Sequence, residues 1–212
     1  MRTSELFEKE INLIKNEHLR NIVARTLDAS PECIQTIPAS ATGKYHPEYS
    51  LGEGGLVRHI KSAVGIAYSM IESDVLEGYM CGEDDSYSKS YADIVYASLV
   101  LHDCCKPDDT PNHNTRFDHP LIGAELFGKI AMDYINENNL SYRDRVDIEN
   151  IIIVIFRCIR THMGKYTTSK YAPDICLPRP YTNLEWFVHS CDLLSSKKYI
   201  GFDFDKYYEV LK

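Results

Sequence analysis

One mostly apolar stretch in the middle of the chain ends in an adjacent histidine and aspartate: residues 91–107 read YADIVYASLVLHDCCKP. Its apolar side chains recur at helical spacing, which predicts a helix from about Tyr91 to His102. Pro107 stops this helix, because the residue before a proline is pushed out of the helical region. The pattern therefore places His102 and Asp103 together at the C-terminal end of a helix.

Similar helical patterns lie on both sides of this stretch. The sequence predicts them at about 4–27, 54–71, 118–138, 142–161 and 182–198. Asp118 and Thr182 are the predicted N-cap residues, and Glu185 completes a capping box with Thr182. Loops are predicted over 28–54, 78–90 and 164–181, and no stretch convincingly indicates a strand. The sequence thus predicts an all-α protein, a single helical bundle of about six to eight helices over residues 1–212, in which 1–50 packs on a core of 51–200.

The charge of the chain argues against long nucleic acids as partners. With 31 acidic and 23 basic residues, the formal net charge is -8, whereas proteins that grip long duplexes usually carry a basic face. The seven cysteines include no C-x-x-C pair, so neither a disulfide framework nor a thiolate zinc cage is predicted. Residues 1–20 lack the apolar core of a secretory signal, and the most apolar run, 148–159, is too short to span a membrane. We therefore expect a cytoplasmic protein without a membrane partner.

Histidines and aspartates fall at the ends or on the inner faces of five predicted helices. They are His59, His102, Asp103, His119, His162 and Asp192. Imidazole and carboxylate ligands together suit first-row transition metals and Mg²⁺. Because a carboxylate has two oxygens, Asp103 could bridge two cations while His102 binds one of them. Two cations about 3.5–4 Å apart can stabilise both the attacking and the leaving oxygen of a phosphoryl displacement.

The order His … His-Asp … Asp resembles the HD-domain phosphohydrolase superfamily. The resemblance covers about residues 50–200 and is carried by His59 in GGLVRH, His102 and Asp103 in LVLHDCCK, and Asp192 in HSCDLL. His119 in DHPLIGAEL and His162 in RTHMGK resemble the additional ligands of the two-metal branch. The resemblance implies one metal held by His59, His102, Asp103 and Asp192, and a second held by Asp103, His119 and His162. Mn²⁺, Fe²⁺, Ni²⁺, Co²⁺ and Mg²⁺ would all accept such ligands.

The resemblance also implies a reaction. It is that of a metal-dependent phosphohydrolase, which uses metal-activated water to cleave a phosphodiester, phosphoanhydride or phosphomonoester bond of a small, nucleotide-type substrate. Asp103 and Lys106 are the candidate catalytic residues, because an ammonium group three residues after the aspartate could take up charge on the phosphoryl oxygens. Arg58, Arg116 and Lys165 flank the ligands and are further candidates for substrate contacts.

Three other functions stay open on the sequence. The first is a 3′-to-5′ nuclease or phosphodiesterase on short single strands, for which exposed tyrosines would provide stacking platforms. The second is a metal- or nucleotide-binding regulatory module without turnover, and the third is redox chemistry at a di-iron site, as in the inositol oxygenases.

The chain also departs from the pattern of the proteins that it resembles. Many have glycine where this chain has Cys105. The exoribonuclease branch tends to have His-His-Gly where this chain has Thr161-His162-Met163-Gly164, and it carries a nucleic-acid-binding barrel before the HD domain.

The remaining histidines have other predicted roles. His189 lies one helical turn before Asp192 and is a rival to it as a ligand, although the favoured interpretation is that it packs or supports a ligand. His18, His46 and His113 are expected at the surface, although His113 lies in the loop between His102 and His119, where it could contact substrate. The sequence carries no signal for an oligomeric state.

Overall fold

The computed structural model describes residues 1–40, 42–80, 90–108 and 115–211. Within these ranges the fold consists of α-helices and a single two-stranded antiparallel sheet, which confirms the predicted all-α class. The helices are α1 (Thr3–Leu6), α2 (Glu8–Asn12), α3 (Glu17–Ala29), α4 (Gly55–Glu72), α5 (Val75–Tyr79), α6 (Tyr91–Leu101), α7 (His119–Glu137), α8 (Tyr142–Thr161), α9 (Asn183–Ser195) and α10 (Phe204–Val210). The strands are β1 (Thr168–Ser169) and β2 (Ala172–Cys176).

Helix α6 is the centre of the bundle. All of its residues except Ala92 are buried, and it packs against α3, α4, α8 and α9. A helix that is apolar on every side has to be covered on every side, which explains its central position. The end of α6 consequently delivers His102 and Asp103 to the interior, where both side chains are buried.

The N-terminal segment differs from the single helix predicted over 4–27. It forms three helices, α1 to α3, and the last break falls at Leu13–Asn16. Asn16 caps α3, because its side chain accepts a hydrogen bond from the backbone N–H of Leu19. The carboxylate of Asp93, on α6, accepts hydrogen bonds from the backbone N–H groups of Lys15 and Asn16. These contacts satisfy backbone groups that a continuous helix would otherwise have paired internally.

Other differences add short elements at places where the sequence has weak periodicity. Helices α5 and α10 were not predicted, and the ten helices of the described residues exceed the predicted six to eight. Strands β1 and β2 form a hairpin inside the predicted loop 164–181. Thr182 caps α9 as predicted, but Glu185 accepts from the N–H of Tyr181 rather than that of Thr182, and it also pairs with Arg157. Most of the predicted loop 78–90 lies outside the described residues.

A buried carboxyl group on α2 makes the stability of the fold sensitive to pH. Glu10 is 0% exposed, and the nearest ammonium group, that of Lys61, lies 3.8 Å away. Burial raises the pKa of Glu10 despite the charge of Lys61. A carboxyl whose pKa is raised in the folded state binds its proton more tightly there than in the unfolded chain. Its contribution to stability is therefore lost as the pH rises from its unfolded pKa through its folded pKa.

We accordingly expect Glu10→Gln to stabilise the protein more at pH 8 than at pH 5, because glutamine does not ionise. Thermal unfolding of both proteins at the two pH values measures the difference in melting temperature. Glu53→Gln, which alters an exposed glutamate, serves as the control and should show no such pH dependence. A Glu10→Gln effect of equal size at both pH values would contradict this explanation.

Candidate metal centre

Five helices bring the six predicted metal ligands together. His59 comes from the first half of α4, His102 and Asp103 from the end of α6, His119 from the start of α7, His162 from the end of α8 and Asp192 from α9. Five of these side chains are almost fully buried, and that of Asp192 is 17% exposed. Residues 133 positions apart in the chain thus meet at one place in the interior.

The backbone before α4 makes a close approach that positions His59. Gly54 has a φ of 68°, in the left-handed region that favours glycine. A Cβ atom at Gly55 would lie 2.3 Å from the carbonyl oxygen of Ser50. The pair of glycines therefore lets the first turn of α4 start directly against the preceding loop.

Three of the ligands form a first group, which we call cluster 1: His59, His102 and Asp192. The Nε2 atoms of His59 and His102 are 3.4 Å apart. The Oδ1 atom of Asp192 lies 3.1 Å from Nε2 of His59 and 3.4 Å from Nε2 of His102. Three potential ligand atoms therefore surround one position.

The second group, cluster 2, consists of Asp103, His119 and His162. The Nε2 atoms of the two histidines are 3.2 Å apart, and Oδ1 of Asp103 lies 3.0 Å from His119 and 3.6 Å from His162. The other oxygen of Asp103, Oδ2, faces cluster 1, at 3.5 Å from Nε2 of His59 and 3.4 Å from Nε2 of His102. Asp103 thus offers one oxygen to each cluster.

The hydrogen bonds behind the rings determine which nitrogen faces the clusters. The Nδ1 atoms of His102, His119 and His162 lie 2.6, 2.7 and 2.8 Å from the carbonyl oxygens of Leu99, Arg116 and Ile159. A carbonyl oxygen can only accept, so each Nδ1 carries the proton and each neutral ring directs the lone pair of Nε2 at the ligand atoms.

His59 reaches the same orientation through a side chain. Its Nδ1 lies 3.0 Å from the Oγ atom of Ser195, and that hydroxyl donates to the carbonyl oxygen of Asp192. Because the hydroxyl proton is already used, Ser195 accepts from Nδ1 of His59. All four ligand histidines therefore present an Nε2 lone pair to the clusters when neutral.

The clusters have the chemistry of a cation site. Carboxylate oxygens and imidazole lone pairs are all acceptors, yet they face one another in both clusters at 3.0–3.6 Å. Oδ1 of Asp103 is buried and has no hydrogen-bond partner among the described residues. Buried acceptors without donors are costly unless a cation satisfies them. These buried groups could therefore hold metal ions, and the nitrogen and oxygen donors suit first-row divalent cations or Mg²⁺.

Electrostatics keeps both carboxylates ionised. Burial disfavours the charge on Asp103, but Lys106 and His102 outweigh it and hold the pKa of that carboxyl well below its usual range. The rings of His102 and His59 have the same effect on the pKa of Asp192, again against burial. Burial opposes protonation of His102 too, yet the two carboxylates raise the pKa of its ring to about 10. Both carboxylates are thus ionised, and the attraction that raises the pKa of His102 is one that they exert on any positive charge at the centre.

A cavity of about 670 Å³ opens at these ligands. Asp103, His119 and Asp192 all line it, so both clusters can be reached from it. Much of the remaining wall is apolar or aromatic, and it includes Tyr45 and Tyr166, which are 67% and 48% exposed. The cavity thus joins the centre to a partly aromatic mouth.

The structure places one of the four predicted substrate-binding residues in the cavity wall. Lys106 lines the cavity, and its Nζ lies 2.5 Å from Oδ2 of Asp103. Arg58 is not part of the wall, since its guanidinium group donates to the backbone carbonyls of Tyr49, Leu51 and Glu53. It therefore holds the loop before α4 in place.

Arg116 and Lys165 are also outside the wall of this cavity. Arg116 forms an ion pair with Asp118, 2.8 Å apart, and its carbonyl oxygen supports the ring of His119. The Nζ atom of Lys165 lies 5.5 Å from the ring centre of Tyr166, which does line the cavity. The structure does not bring the charged group of either side chain to the clusters.

Two histidines that were not predicted as ligands also line the cavity. His189 is buried, as expected for packing, and its Nδ1 donates to the carbonyl oxygen of His162 at 2.6 Å. His46 is half-buried in the cavity wall rather than on the open surface, and its ring packs edge-on against His59, with centroids 5.4 Å apart. Burial and the charge of His59 lower the pKa of His46 to about 4. No helical periodicity marks residues 36–50, so the sequence offered no signal for this placement.

The other two histidines lie away from the centre or outside the described residues. His18 is half-buried rather than on the open surface, and its Nδ1 lies 3.0 Å from the hydroxyl of Tyr134. His113 lies outside the described residues, so its predicted substrate contact stays a prediction.

Comparison of the chain with protein-family models, with curated proteins and with solved structures gave no match. Across the described ranges, no helix combines the length and the hydropathy that crossing a bilayer requires.

Proposed function

We propose that this chain is a metal-dependent phosphohydrolase of the HD type with two divalent cations. The observation that carries the proposal is the position of Asp103, which directs Oδ2 to cluster 1 and Oδ1 to cluster 2. A carboxylate shared between two sets of histidines is what a bridged pair of cations requires. The neutral tautomers of the four ligand histidines support the same conclusion, because each ring presents a lone pair.

Asp103 and Lys106 have different roles in this proposal. When bound, a pair of divalent cations supplies an activated water and offsets negative charge on a phosphoryl group. Asp103 would help to hold both cations, because it offers one oxygen to each cluster. Lys106 now neutralises Oδ2 of Asp103; with that oxygen engaged by a cation, its ammonium group can turn to the cavity and bind a phosphoryl oxygen. Asp103 and the four ligand histidines are almost fully buried, which strengthens these charge interactions.

The cavity favours a small substrate with a flat aromatic part, such as a nucleotide. Its volume of about 670 Å³ suits a ligand of that size. Tyr45 and Tyr166 at the mouth offer ring faces, and Met163 and Leu193 add apolar surface. Aromatic side chains stack on nucleobases regardless of base identity. A phosphate at the clusters and a base at the mouth would therefore both find partners.

A second candidate, hydrolysis of short single strands, is favoured by tyrosines beyond the cavity. Tyr171 and Tyr181 are 85% and 88% exposed, and Nζ of Lys170 lies 4.8 Å from the ring centre of Tyr171. Exposed rings beside lysines are typical of surfaces that bind single strands. The net charge of -8 favours the smaller substrate of the two.

An activity screen tests the proposal and separates it from its alternatives. Purified protein loaded with Mn²⁺, Fe²⁺, Co²⁺, Ni²⁺ or Mg²⁺ is offered mononucleotides, cyclic dinucleotides, dinucleoside polyphosphates and short oligonucleotides, and released phosphate or product is measured. Hydrolysis that a chelator abolishes and added metal restores is the expected result. Cleavage confined to oligonucleotides would favour the second candidate. Metal binding without turnover on any of them would favour a regulatory module, and oxygen consumption would favour redox chemistry.

Lys106→Met should separate substrate binding from metal binding in the active protein. Loss of a hydrogen bond to a charged group predicts a fall in kcat/KM of about 10- to 100-fold. Metal content should stay at the wild-type level, since Lys106 is not a ligand. Lys165→Met, outside the cavity wall, is the matched control and should leave kcat/KM within about threefold of wild type. Unchanged kcat/KM in Lys106→Met would remove Lys106 from the reaction.

A further inference from the structure

His46 stands apart from the ligand histidines although it touches one of them. It lies in the segment before α4 and lines the cavity beside cluster 1, with its ring at 66° to that of His59. It belongs to neither group of ligand atoms that converge within 4.8 Å of one another. The ring therefore contributes to the wall of the cavity rather than to the clusters.

The surroundings of Nδ1 in His46 differ from those of Nδ1 in the ligand histidines. Nδ1 of His46 is buried and has no hydrogen-bond partner among the described residues. In the ligand histidines, by contrast, Nδ1 lies next to an acceptor that holds the proton there. A buried N–H without an acceptor is less tolerated than a buried acceptor without a donor, so a single ring proton of His46 lies on Nε2. This tautomer cannot ligate a cation through Nε2, but it can donate a hydrogen bond to an anion.

We propose that His46 is a substrate-contacting residue, which donates a hydrogen bond from Nε2 to a phosphoryl oxygen held beside cluster 1. Lys106 lines the same cavity and contacts Oδ2 of Asp103, which faces cluster 1. His46 and Lys106 thus supply a neutral and a charged donor to one phosphoryl group. This inference rests on the proposed function only in assuming that a phosphoryl group binds at the centre, not that it is hydrolysed.

The test measures binding of inorganic phosphate to metal-loaded protein by calorimetry, together with bound metal. His46→Gln retains an N–H donor near the position of Nε2, whereas His46→Leu has none. We expect His46→Leu to bind phosphate about tenfold or more weakly, and His46→Gln to stay within about threefold of wild type. All proteins should hold the same amount of metal. His18→Leu removes a half-buried histidine that contacts Tyr134 instead of the cavity, and should bind phosphate as wild type does.

Three results would overturn the inference: unchanged phosphate binding in His46→Leu, loss of metal in both His46 variants, or no phosphate binding by metal-loaded wild type. If His46→Leu does not fold, His46→Ala provides the same comparison. Because phosphate binding needs no turnover, a donor effect in a protein that hydrolyses nothing would support the role of His46 while contradicting the proposed function. Hydrolysis with no effect of His46 would do the reverse.

Discussion

Asp103→Asn is expected to lower bound metal and to reduce hydrolysis by more than about 100-fold. This loss exceeds the roughly 10- to 100-fold loss that is typical of residues that only support a metal ligand. Asparagine has nearly the same shape, but it offers one uncharged oxygen where Asp103 offers two charged ones. One of the two clusters would face an amide N–H group, which cannot bind a cation. Elemental analysis of the purified variant after dialysis against metal, combined with the most active substrate of the screen, measures both effects.

Asp118→Asn is the matched control for this change. Asp118 lies next to His119 in the chain, but its carboxylate pairs with Arg116 and faces neither cluster. The Asp118→Asn variant should retain wild-type metal content and activity. Full metal content and normal turnover in Asp103→Asn would show that the carboxylate does not bridge two cations, and would refute the proposed reaction.

Gly55→Ala is expected to destabilise the protein, because the backbone before α4 leaves no room for a methyl group at this position beside the site. The added Cβ would lie 2.3 Å from the carbonyl oxygen and 2.7 Å from the carbonyl carbon of Ser50, and 3.1 Å from Cα of Pro38. All three atoms belong to the backbone, so α4 or the loop must move. Such overpacking costs about 1–3 kcal/mol, which corresponds to a fall of roughly 2–12 °C in melting temperature for a chain of this size. Thermal unfolding measures this fall.

Gly78→Ala provides a matched comparison in α5. A Cβ atom there has nothing within 4 Å, and the residue is exposed. Alanine in an unobstructed helix should stabilise by about 0.5–1 kcal/mol, because glycine loses more backbone entropy on folding. Similar melting temperatures for the two variants would show that the loop before α4 yields easily, and that the pair of glycines does not determine the position of His59.

The long helices could be predicted because their signals are local. Helix α8 has the bounds predicted for it, and α4, α6, α7 and α9 differ by at most a few residues. In each, apolar periodicity coincides with a glycine, proline or cap at the ends. The candidate ligands at those ends could be predicted for the same reason, because the sequence signals that end a helix also show which residues lie at its end.

Features that depend on distant residues could not be predicted. The break before α3 depends on Asp93, which is 77 residues from Asn16. Arg58, Arg116 and Lys165 flank ligands in the chain, but their directions are determined by carbonyls, Asp118 and Tyr166 in the folded protein. His46 is brought to the cavity by a loop that has no periodic pattern. Each of these cases depends on packing that a single sequence does not display.

The carbonyl groups behind His102, His119 and His162 have a consequence for how this protein could change over time. Each ring is aimed by a carbonyl three residues earlier in its own segment, so its direction is inherited with a stretch of four residues. The segments 36–54 and 164–181, which contain Tyr45 and Tyr166, provide none of these carbonyls. Mutations of Tyr45 and Tyr166 themselves could exchange one substrate for another while the ligand histidines keep their directions, so new specificities could arise without rebuilding the metal centre.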